Sequence, residues 1–89
     1  MRVSDQFILR SIAGEHLLIS TGEAALKVGG LIALSESALL LYEKLKNGCE
    51  KTALVEALLA EYEVSAEEAA ADVDAFLDQL RELNMLVEE

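Results

Sequence analysis

The hydrophobic period of this chain changes at Ser35, and that change limits the fold more than any other feature. Before it, apolar residues come in short runs separated by glycine-bearing breaks; after it they recur every three or four positions. The first pattern suits strands and the second suits one buried face of successive helices. Strands followed by helices, without alternation, predict an α+β arrangement and not a doubly wound sheet.

FILRSI (7–12) and HLLIS (16–20) flank Ala13-Gly14-Glu15 and are expected to form a hairpin, because glycine takes positive φ at no steric cost. Thr21-Gly22-Glu23 breaks the second run. AALKV (24–28) is a ragged continuation, Gly29-Gly30 allows a tight turn, and LIAL (31–34) is the last strand. The expected helices are 36–46, 50–61 and 65–83. Ala38, Leu41, Tyr42 and Leu45 share a face of the first, widened by Leu39 and Leu40. Asn47-Gly48 reads as its C-terminal cap. The second buries Leu54, Val55, Leu58 and Leu59, with Tyr62 just beyond. Ser65-Ala66-Glu67-Glu68 is a capping box for the third. That helix buries Ala69, Val73, Phe76, Leu77, Leu80 and Leu83, and turns Glu67, Glu68, Asp72, Asp74, Asp78 and Glu82 outward. MLV (85–87) is expected as an extended tail. With 89 residues and no repeat or linker, the whole of 1–89 reads as a single domain.

Charge divides at the same place. Residues 1–34 are neutral, whereas the rest sets Lys44, Lys46, Lys51 and Arg81 against fourteen acids, which carries the full −10. Such a surface repels phosphate, so nucleic acid is not an expected partner. The plainest reading of the acids is a solvated helical face that aids solubility. Three helices beside a small sheet also describe a winged helix-turn-helix. A regulator of that kind needs a basic recognition helix, and here the third helix offers Arg81 against six acids. No apolar run approaches the roughly 20 residues of a membrane span. The N-terminus lacks a signal-peptide pattern. The lone Cys49 fits a reducing compartment, so the expected location is the cytoplasm.

Reactive groups are sparse. His16 has no second histidine to share a metal. Cys49 stands at a helix start, where the dipole can lower a thiol pKa, but a cap position accounts for it. The carboxylates lie on outward faces without the pairing of acid/base catalysis. Gly29 and Gly30 precede a strand and make no phosphate cradle. A binding module with no metal, cofactor or catalytic residue is expected, and not an enzyme.

The ordered series FILRSIAGE, LLISTGEAA, GGLIALSESALLLYEKLKNG and ALLAEYEVSAEEAAADVDAFLDQLRELNML resembles the PqqD family across nearly the whole chain. Leu34-Ser35-Glu36 stands where the family often has Leu-Asn-Glu, and serine caps as well as asparagine. Tyr42 replaces a common tryptophan. Leu59, Tyr62 and Val64 stand near their expected places, and Asp72-Val73 with Phe76, Leu77 and Leu80 match the final helix. The resemblance implies a three-stranded antiparallel sheet packed on three helices. It also implies binding of the leader segment of a ribosomally made precursor peptide, for delivery to a modifying enzyme, often a radical S-adenosylmethionine (SAM) protein. The leader would lie beside the third strand as an added strand, in the groove against the third helix. Candidate peptide-binding residues are then Val28, Gly29, Gly30, Leu31, Ile32, Ala33 and Leu34 on the strand, with Asp72, Phe76, Gln79 and Leu80 on the helix. Acids there would favour a leader carrying Lys or Arg. Two accounts of LIAL compete with an edge strand: a central strand covered on both faces, or one buried in a homodimer. An adaptor that binds an enzyme without touching its substrate needs the same apolar surface. A one-residue register slip would exchange the strand's faces.

Overall fold

The computed structural model describes residues 1–5, 7–21 and 31–88. Its main sheet starts from a tight hairpin. Strands β2 (Phe7–Ile12) and β3 (Glu15–Ser20) pair antiparallel from Phe7↔Ser20 to Ile12↔Glu15, leaving Ala13 and Gly14 as a two-residue loop. Both loop residues are left-handed, with φ of 52° and 83°. That is the turn whose twist matches the flanking strands. Strand β4 (Leu31–Leu34) joins the far side of β3, with His16↔Leu34, Leu17↔Ala33, Leu18↔Ile32 and Ile19↔Leu31 in register. The order is therefore β2-β3-β4.

Paired residues share a face, so the register sorts the sheet. Phe7, Leu18 and Leu34 are buried on the inner face, and Leu9 and Ile32 pack partly against the same core. Ile8, Arg10, Ile12 and Ala33 are exposed on the outer face. Three helices close the inner side: α1 (Glu36–Lys46), α2 (Lys51–Glu61) and α3 (Ala66–Glu82). Leu41, Tyr42 and Leu45 of α1, Leu54 and Leu58 of α2, and Ala69, Val73, Phe76, Leu77 and Leu80 of α3 meet the sheet in one buried cluster. Burial pushes the Tyr42 phenol up.

Helix ends follow local chemistry. Ser35 caps α1 by accepting from the Ala38 amide at 3.2 Å, and Ser65 caps α3 from the Glu68 amide at 3.1 Å. The return bond that a full capping box would draw from Glu68 is not formed among the described residues, where Glu68 is exposed. Helix α2 differs from expectation in starting at Lys51, with Glu50 as an N-cap that makes no side-chain bond. Cys49 thus precedes the cap position. Burial pushes its thiol up, against the N-terminal ammonium, which reverses the activation that a helix start suggests.

The C-terminus of α3 carries the largest departure from the sequence reading. Asn84 is left-handed at φ 56°, its amide donates to the Arg81 carbonyl at 3.1 Å, and the Met85 amide donates to Leu80 at 2.8 Å. This is a Schellman reversal with asparagine in the usual glycine place, and the side chains of Leu80 and Met85 are both fully buried in the core cluster. It sends the chain back as β5 (Leu86–Val87), paired antiparallel with β1 (Arg2–Val3). The expected tail is half of a second, two-stranded sheet. At α1 the Gly48 amide, in a residue at φ 81°, donates to Leu45. The next amide, Cys49, donates to Met1, whose ammonium donates back to the Cys49 carbonyl at 3.1 Å.

Ala13 is an L-residue held in the left-handed region, which costs about 1 kcal/mol against a residue at ease there. Replacing Ala13 with Asn, the residue this turn favours, should stabilise the fold by about 0.5–1 kcal/mol. Urea unfolding checks it: the midpoint should rise with the slope unchanged.

Candidate functional site

Within the described residues β4 has one partner, β3, and its other edge is bare. In an antiparallel strand, alternate residues turn both N–H and C=O to one side. Half of the polar backbone groups of Leu31–Leu34 therefore face away from β3. Ile32 and Leu34 anchor the strand inward, while Ala33 points to solvent. This assigns the faces that the sequence left open.

Leu34 leads directly into Ser35, and there the strand's end opens on a cleft of about 300 Å³. One wall is the first turn of α1, with Ser35, Ser37 and Ala38. The other is the α3 stripe Asp72, Ala75, Phe76 and Gln79, and Leu41 and Leu58 complete the lining. The stripe positions are three and four apart and so share a helix face. Two facing alanines, Ala38 and Ala75, leave the room. The rim is polar, with the Ser35 and Ser37 hydroxyls 3.2 Å apart and the Asp72 carboxylate and Gln79 amide exposed. Phe76 is mostly buried and presents only a sliver of ring. The result is a small slot, part apolar and part hydrogen-bonding, with one negative charge, suited to an inserted side chain next to an extended backbone.

Of the residues singled out in the sequence, Asp72, Phe76 and Gln79 come together in this cleft, at the end of the strand formed by Leu31, Ile32, Ala33 and Leu34. Leu80 does not join them; it is fully buried one layer beneath, against the α3 reversal. Val28, Gly29 and Gly30 lie outside the described residues. Sequence reasoning missed Ser35, Ser37, Ala38, Leu41, Leu58 and Ala75. Ala75 was within reach, since it completes the 72, 75, 76, 79 spacing; the others depend on how α1 and α2 face α3.

Charges around the site are mostly negative. The exposed face of α3 carries Glu67, Glu68, Asp72, Asp74, Asp78 and Glu82. Lys51 is engaged by Asp74 at 2.6 Å. Arg81 is bracketed by Asp78 at 2.8 Å and Glu88 at 2.7 Å. A helix so charged, with its cation engaged, is a poor reader of a nucleic-acid groove. His16 binds Ser11 through Nδ1 at 2.9 Å and Glu36 through Nε2 at 3.1 Å, joining β2, β3 and α1. Among the described residues no His, Cys, Asp or Glu grouping could hold a metal, and no helix is long and apolar enough to cross a membrane.

Residues 15–86, most of the chain, match the family model of coenzyme PQQ synthesis protein D, PqqD. The chain belongs to the PqqD family. Its architecture, a three-stranded antiparallel sheet with three helices, is shared by solved structures. TbiB1 in complex with the TbiA(β) leader peptide is similar with a TM-score of 0.81 at 25% identity, over 100% of this chain and 98% of that one. A lasso peptide synthetase B1 complexed with the leader peptide is similar in fold, with a TM-score of 0.78 at 22% identity, over 98% and 96% of the two chains. No curated protein matches the sequence.

The Arg81 clasp on this PqqD-family chain has a pH signature. Hydrogen bonding to Arg81 holds the Glu88 carboxyl below the usual glutamate range. A carboxyl depressed in the folded state adds stability above its unfolded pKa and loses it as pH falls through the folded value. Carbon-13 titration of Glu88 should therefore give a midpoint below that of a free glutamate, and Arg81→Gln should return it to the ordinary range. The stability difference between the two proteins should shrink as acid protonates Glu88.

Proposed function

We propose that this chain, acting as one domain over residues 1–89, binds the leader segment of a ribosomally synthesised precursor peptide and presents it to a peptide-modifying enzyme. The observation that carries the reading is the edge of β4 that no described residue pairs, running into the cleft between α1 and α3, in a fold shared with TbiB1 bound to its leader peptide. The leader would add as a strand along Leu31–Leu34, its backbone bonds supplying affinity. One side chain would enter the slot lined by Ala38, Ala75 and Phe76, supplying specificity. Asp72 would favour a Lys or Arg near that side chain, through a contact weakened by salt. Val28, Gly29 and Gly30 would extend the same edge.

The modifying enzyme in this reading is a separate protein, such as a radical SAM maturase, and the chain itself supplies binding and no catalysis. The cytoplasm, where precursors are translated, is the expected location. A homodimer built through the β4 edges would compete with the leader for the same backbone groups.

Two measurements test the reading with a labelled leader peptide. Added leader should slow amide exchange at alternate residues of Leu31–Leu34, the ones facing away from β3, and leave the β3-facing ones unchanged; uniform or absent protection would contradict strand addition. Ala75→Trp should fill the slot from an exposed position, so leader affinity falls about tenfold or more while stability moves by less than about 1 kcal/mol. Asp72→Lys should cost less, and its cost should fade in high salt. Unchanged affinity in Ala75→Trp would move the site elsewhere.

A further inference from the structure

A second surface lies on the opposite side of α1. Glu36, Leu39, Leu40 and Glu43 project about half a helix turn away from Ala38 and Leu41, the α1 residues that line the first cleft. With Glu61 and Tyr62 from the end of α2 they line a pocket of about 220 Å³. It is an open pocket, its lining shared between Leu39, Leu40 and Tyr62 and the three glutamates.

Helix α2 makes this surface unusual. Ala53, Leu54, Val55, Ala57, Leu58, Leu59 and Ala60 give it apolar residues all round, a composition expected of a helix enclosed on every side. The core takes only Leu54 and Leu58 completely. Leu59 stays 40% exposed and Tyr62 39% exposed, two of the four large apolar or aromatic side chains left in solvent among the described residues. Leu39 and Leu40 are half-buried beside them. Glu36 is held in place by His16 at 3.1 Å, whereas Glu43 and Glu61 have no ion-pair partner among the described residues. No Lys or Arg lines the pocket.

We propose that this pocket docks a cationic amphipathic segment of the partner enzyme, an apolar side chain entering between Leu39, Leu40 and Tyr62 while Lys or Arg residues on its flanks meet Glu36, Glu43 and Glu61. Three carboxylates beside Leu39, Leu40 and Tyr62 select that occupant over an acidic or uncharged one. An exposed tyrosine at the pocket edge is the residue type that anchors interfaces. Assigning the segment to a modifying enzyme rests on the function proposed above; the chemistry of the segment rests on the pocket alone. Placed across α1 from the leader cleft, the two surfaces let one domain hold leader and enzyme together.

The test uses the full chain and two fluorescent probes: a helical peptide of Leu and Lys at amphipathic spacing, and a Ser and Lys peptide of equal charge. The Leu/Lys peptide should bind saturably and shift the amides of Leu39, Leu40, Glu43, Glu61 and Tyr62. The Ser/Lys peptide should bind about tenfold more weakly or worse. A Glu43→Lys, Glu61→Lys double variant and Tyr62→Ala should each weaken the Leu/Lys peptide by about tenfold, with leader affinity unchanged. Equal binding of both peptides, or shifts scattered over the acids of α3, overturns the proposal by showing charge attraction alone. A concentration-dependent dimer abolished by Tyr62→Ala overturns it in favour of a second copy. If the Leu/Lys peptide behaves as expected while no leader binds, the pocket stands and the leader-binding reading falls.

Discussion

The placement of β3 in the middle of the sheet is the constraint on which the rest depends. Leu18, buried to 1% exposure, faces the helices with Leu9 of β2 on one side and Ile32 of β4 on the other. Once β3 is paired on both sides, β4 is left at an edge, and its outward backbone groups have no partner among the described residues. Exposed edges invite unwanted pairing, and proteins usually blunt them. Here the described strand, Leu31–Leu34, turns at once into a capped helix. The helix start at Ser35 limits how far a partner strand could run along that edge in this direction.

Helix α3 serves the core and the site with different faces. Val73, Leu77 and Leu80 hold it to the core, and the Schellman reversal at Asn84 fixes where it stops. With the helix so held, the Asp72, Ala75, Phe76 and Gln79 stripe stands at a fixed distance from the start of α1, and the slot between them is largely preformed. A preformed slot reduces the ordering cost of binding a flexible peptide. The exposed acids on the same helix give that face a negative field, which repels phosphate and attracts cations.

Much of this was legible locally. Ser35, Asn47-Gly48 and Ser65 mark helix ends because caps act within one turn, and the structure keeps each within a residue of its expected place. The α+β class and three-stranded sheet follow from the change of period at Ser35. The two-residue strands β1 and β5 were not legible, since so short a run has no period and their pairing joins opposite ends of the chain. The edge status of β4 was equally hidden, because LIAL has the same composition in a central strand. At the cleft, Asp72, Phe76 and Gln79 could be chosen by helical spacing. Ser37, Ala38 and Leu58 could not, because their roles arise only when separate helices meet. Leu80 shares the stripe's spacing but belongs to the core, a distinction only packing makes.

For this PqqD-family chain, strand addition of a leader peptide at β4 is the central proposal. Isotope-filtered NOE spectroscopy on labelled protein with unlabelled leader peptide tests that claim most directly. Backbone-to-backbone contacts between the peptide and Leu31–Leu34, in a regular cross-strand ladder, are the predicted result. Peptide contacts confined to side chains elsewhere, with none to the β4 backbone, would contradict the account.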